Sequence, residues 1–101
     1  MSVALLVKDA SGETSLVPVA TEAIYAAHWQ RGAKALALDW IEALQSGVVV
    51  TAENRAEILE QLAALRAWFA ANEPLLLPRL DLLVNALTGV RFDAGETAWI
   101  G

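Results

Sequence analysis

The only histidine, the only tyrosine and two of the four tryptophans fall within residues 22–44, "EAIYAAHWQRGAKALALDWIEAL". An imidazole titrates near neutral pH, so His28 is the side chain best suited to general acid–base work without a special environment. Catalysis would also require a nucleophile or a second acid–base group, and something to orient the ring. On a helix the positions one turn away are Ile24 and Gly32, and neither can supply these. Tyr25, three residues before, offers one hydrogen bond. Ile24, Tyr25, His28 and Trp29 share one helical face, and the grouping reads first as an aromatic cover on a core. The alternative is a pocket around Tyr25, His28 and Asp39, which would make the chain a small enzyme or ligand-binding protein. One histidine and no cysteine leave only carboxylates as further metal ligands, so neither a metal nor a cofactor is expected.

Two other groups carry chemistry. Glu53, Glu57 and Glu60 line one side of a helical segment. Spread over nearly two turns, they diverge too far to enclose a hard cation. They suit a solvated face or a docking surface for a basic protein, where complementary charge speeds association. Trp99 stands two residues from the C-terminal residue, and a large aromatic there needs cover from the core or from a subunit contact. No G-x-G-x-x-G, G-K-[ST], G-x-S-x-G, H-E-x-x-H or EF-hand string occurs.

The composition limits what these groups can belong to. A length of 101 residues suits one domain, 1–101. The apolar fraction of 56% is rich in alanine and leucine, which favours helices and excludes a disordered chain. Unbroken apolar runs stay as short as "AWFAA" (67–71), far from the roughly 20 residues of a spanning helix. The N-terminal segment lacks a basic leader and a long apolar stretch, and there is no cysteine for a disulfide framework. Both features point to a cytoplasmic protein. A net charge of −5 with seven scattered Lys and Arg argues against nucleic acid, which is bound by clustered cations.

The elements that must position these residues follow from periodicity. Residues 3–20 read as a β-hairpin around the turn "DASGE", with both faces of "VALLVK" largely apolar and Pro18 placing the second strand at a sheet edge or near its end. From Thr21 the pattern becomes helical, and Gly32 marks a C-cap or a kink. Leu36, Trp40 and Leu44 then stack at four-residue spacing, although "LALDW" in 36–41 also alternates like a strand. Gly47 ends that segment, "VVV" is a short extended stretch, and Thr51 caps a helix over about 52–71. Its stripe is Ile58, Leu62, Leu65 and Phe69, and Asn72 is expected to close it in the left-handed conformation. A second helix begins near Leu76, keeps Pro78 in its first turn and carries Leu76, Leu80, Leu83 and Leu87 to a stop at Gly89. These two helices form an αα-hairpin. The tail "VRFDAGETAWIG" returns to β character and should pair with the N-terminal hairpin. Its "DAGET" echoes "DASGET" at 9–14, which shared turn chemistry explains.

The expected fold is α+β: an N-terminal hairpin and C-terminal strand in a small antiparallel sheet, packed against about four helices. The expected function is that of a small acidic, non-catalytic protein–protein interaction module that self-associates, without nucleic-acid or membrane partners. An inhibitor of a basic protein, in the manner of an immunity protein or antitoxin, is a further reading.

Overall fold

A computed structural model of the chain describes residues 2–101. Four strands, β1 (Ser2–Lys8), β2 (Thr14–Thr21), β3 (Val48–Val50) and β4 (Thr97–Ile100), form one antiparallel sheet in the order β2-β1-β4-β3. The hairpin therefore forms where the turn residues place it. Asp9 Oδ1 accepts hydrogen bonds from the backbone N–H groups of Ser11 and Glu13, the Asx pattern that makes aspartate a turn residue. β1 is interior, flanked by β2 and β4, and the strand bearing Pro18 lies at the edge. The C-terminal strand closes the sheet by pairing with both β1 and β3.

Four helices cover one face of this sheet. Helix α1, residues 22–36, is composite: α-helical Glu22–Ile24, a π-helical stretch Tyr25–Trp29, and α-helical Gln30–Leu36. Thr21 caps it as expected, its hydroxyl accepting from the Ile24 N–H at 3.2 Å. Helix α2 is Asp39–Ala43, α3 is Arg55–Asn72 and α4 is Leu77–Thr88. The stripe Ile58, Leu62, Leu65 and Phe69 is fully buried, as are Leu80, Leu83 and Leu87. They join Leu5, Val19 and Ile100 from the sheet in a single core. No helix among the described residues is long and apolar enough to cross a membrane.

Several expectations are corrected in detail. Gly32 neither ends nor kinks its helix. It is buried inside α1, and a Cβ there would stand 2.6 Å from Leu65 Cδ1 and 2.9 Å from Trp68 Cε3. The glycine is the point where α1 approaches α3, a tertiary contact invisible to local pattern. The 36–44 stripe does not form on one helix, because Ala37 turns left-handed (φ 56°). Its N–H and that of Leu38 bond back to Lys34 and Ala33, the paired bonds of a Schellman ending. The chain then restarts at Asp39, so Leu36 faces outward while Leu38 and Ile41 enter the core. Residues 36–41 are thus a helix end, a turn and a new helix.

Thr51 does not cap α3 directly. It and Asn54 bond reciprocally, each side chain accepting from the other's backbone N–H, and α3 starts at Arg55. At the far end Asn72 remains helical, and Glu73 leaves the helix with an extended φ of −146°. The "DAGET" echo has a different conformation from "DASGET": it includes a 3₁₀ turn, Phe92–Ala94, followed by left-handed Gly95. The two loops are neighbours, with Gly95 packed against Ala10.

Candidate functional site

Three places bear on function: the π-helical stretch, the polar joint between α2 and α3, and the bare face of the sheet. The π-helical stretch carries the residues that first drew attention. A π turn widens a helix and is often found where side chains are positioned for a task. Here it buries Tyr25 and Trp29 completely and leaves His28 one-third exposed. The Tyr25 hydroxyl donates to the Ile41 carbonyl, tying α1 to α2. Burial pushes this phenol above its usual pKa, because the ionised form would lose its water. The Trp29 indole packs edge-on against Phe69, ring centres 5.4 Å apart. His28 Nδ1 lies 3.3 Å from Glu73 Oε1 at the end of α3. That is close enough for ionic attraction, but the pair is not aligned as a hydrogen bond, and Nδ1 is buried without a hydrogen-bond partner.

Asp39, the third member of the alternative pocket, is engaged elsewhere. Its Oδ1 accepts from Gln61 Nε2 at 2.6 Å and from the Trp40 N–H at 3.0 Å. The Gln61 hydrogen bond, aided by that backbone N–H, holds the Asp39 carboxyl below its usual pKa. Among the described residues, no hydrogen bond or ion pair joins any two of Tyr25, His28 and Asp39.

The acidic stripe is likewise divided. Glu57 Oε2 accepts from the Trp40 indole Nε1 at 3.0 Å. One turn on, Gln61 Oε1 takes the Trp40 and Ile41 backbone N–H groups. Gln61 therefore satisfies backbone donors that a helix N-terminus leaves open, while Glu57 fixes the Trp40 side chain beside them. Glu60 lies beside them along a shallow groove with Leu38. Glu53 stands before the first residue of α3, in the turn. The three carboxylates do not converge, and no cluster of three or more His, Asp or Glu suited to a metal occurs among the described residues.

Trp99 lies on the sheet face turned away from the helices. Strand register puts it beside Leu6 of β1 and Val49 of β3, and Leu6 beside Leu16 of β2. The result is one apolar row, Leu16–Leu6–Trp99–Val49, across all four strands. Its ends are open: Leu16 and Val49 are each 63% exposed and Trp99 is 43% exposed. The indole lies over Gly47 and Gly101, where any Cβ would meet it within 3.1 Å and 2.4 Å. Neighbouring residues on this face are Ala4, Lys8, Thr14, Pro18 and Thr97. Lys8 is the one charge among them, on a chain with twelve carboxylates.

Sequence reasoning singled out Trp99 but missed Leu6, Leu16 and Val49. The signal was present in the apolar residues on both faces of "VALLVK". It also missed Arg55, whose guanidinium donates to the Leu87 and Val90 carbonyls and lies 5.0 Å over the Phe92 ring. Comparison of the chain with protein-family models, curated proteins and solved structures finds no match to any of them.

Proposed function

We propose that this protein is a non-catalytic interaction module that associates with a second copy of itself through the outer face of its sheet. The carrying observation is the continuous row Leu16–Leu6–Trp99–Val49, apolar across every strand and without a covering helix among the described residues. Contiguous exposed apolar surface of this kind marks contact sites. A second copy is the fitting occupant on grounds of charge. The molecule is acidic, with net charge −5, yet this face carries no carboxylate, so two copies meet where their repulsion is least. Two such sheets stack face to face about 10 Å apart, and a two-fold axis brings the same row from both copies together. The chain needs no disulfide to fold, which suits it to the reducing cytoplasm.

The test is the mass in solution across a concentration series, by light scattering or sedimentation. The native chain is expected to approach a dimer as concentration rises. Leu16→Lys and Val49→Lys, at exposed positions that leave the core intact, should each hold it at the monomer mass. A native chain that remains monomeric at the highest concentration sinks the proposal, as does a dimer indifferent to both substitutions.

A further inference from the structure

A cleft of about 380 Å³ opens between the end of β2, the start of α1 and the corner joining α3 to α4. Apolar side chains line much of it: Val19, Ile24 and Leu76, with Leu75 at 92% exposure among them. Among the described residues, Arg79 is the only charged one lining the cleft, and no carboxylate lines it. The Arg79 guanidinium makes one long hydrogen bond, 3.4 Å to the Pro18 carbonyl. That leaves most of its five donors for other partners. Leu76, on the cleft wall, immediately precedes helix α4. Trp29 lines the same cleft, and its Nε1–H is buried without an acceptor. A buried donor without a partner is uncommon and calls for an acceptor.

A guanidinium with open donors and an unmet indole donor both favour an anion. The remaining walls favour hydrocarbon. We propose that this cleft binds an amphipathic monocarboxylate, its carboxylate held by Arg79 at the start of α4 and its aliphatic body laid along Ile24, Leu75 and Leu76. The space suits a ligand of roughly a dozen non-hydrogen atoms, taking about 30 Å³ for each water-sized group. One acceptor oxygen satisfies Trp29 Nε1.

Decanoate is a suitable probe, with decanol and acetate as controls that keep only one half of its chemistry. The indole N–H signals of the ¹⁵N-labelled protein report on binding. Trp40→Phe, Trp68→Phe and Trp99→Phe assign three of them, and the remaining signal belongs to Trp29. Decanoate should move the Trp29 signal saturably. Arg79→Gln, an exposed change that leaves the core untouched, should weaken that binding about tenfold or more, the value of a charge-assisted hydrogen bond. Acetate should leave the signal in place, and decanol should bind far more weakly than decanoate. The proposal is overturned if decanoate leaves the Trp29 signal unmoved, if only the Trp99 signal responds, or if decanol binds equally well. Unchanged affinity in Arg79→Gln overturns it too. None of these outcomes depends on whether the chain dimerises.

Discussion

On the inner face of the sheet, Leu5 and Ile100 pair across neighbouring strands and are fully buried beneath the helices. One residue along, on the outer face, Leu6 and Trp99 pair in the same way, yet Trp99 is 43% exposed. The two faces are alike in hydrocarbon and differ in what lies over them. Inner residues acquire cover from the stripes of α3 and α4. No described helix lies over the outer row, which is sheltered only by its own neighbours and by the seat of Trp99 on Gly47 and Gly101. In a strand with one solvated face, alternation of apolar and polar residues is the rule. Here the apolar residues continue onto the outer face, and among the described residues no helix lies over them.

The largest effect should separate the two faces directly. Leu5→Ala leaves a cavity under fully packed helices and should cost about 3 kcal/mol in urea unfolding, within the range for buried leucines. Leu6→Ala should cost clearly less in the dilute monomer. Equal losses would break the distinction between the faces.

Next comes the helical layer that covers the inner face. Gly32→Val forces side-chain volume between α1 and α3 and should destabilise by about 2 kcal/mol through overpacking, measured the same way. A neutral result would mean that the helices do not approach there. Tyr25→Phe keeps the ring but removes the hydroxyl donor, leaving the Ile41 carbonyl with only the Leu44 N–H. It should cost about 1–2 kcal/mol, as for other hydrogen bonds removed at buried sites.

The smallest effect is electrostatic. Asp81 is held below its usual pKa by its hydrogen bond to Arg66, with Oδ1 and Nε 2.7 Å apart and the guanidinium charge adding to it. Asp39 is held low chiefly by Gln61. For such groups the contribution to stability is present above the ordinary value of 3.8. It is lost as pH falls from there through the lower folded-state values. Both side chains are solvated, so the fall in urea midpoint should be slight, and Asp81→Asn should remove part of it. A midpoint that rises over this pH range would contradict these contacts.

How much was legible in the sequence differs by element. The stripe of α3 could be read outright, since Ile58, Leu62, Leu65 and Phe69 follow helical spacing and all four are buried. The hairpin turn could also be read, because Asp9 bonds to backbone groups only two and four residues on. Gly32 could not: a glycine in a helical run looks like a break, and only the closeness of Leu65 and Trp68 explains it. Glu57 looked like one member of a solvated stripe, but its partner is the Trp40 indole, 17 residues away in the chain. The cleft near Trp29 was equally hidden, for its walls come from residues as far apart as Val19 and Arg79.

The order of side chains along the polymer was enough to settle the α+β class, the N-terminal hairpin and the membership of most of the core. These depend on spacing within a turn or a strand, and backbone geometry fixes that spacing wherever the segment ends up. The π-helical stretch in α1, the left-handed stop at Ala37, the division of labour among the acidic residues and the bare row around Trp99 were decided by tertiary structure. Each depends on which surface arrives opposite a residue, and only packing of the distant segments determines that.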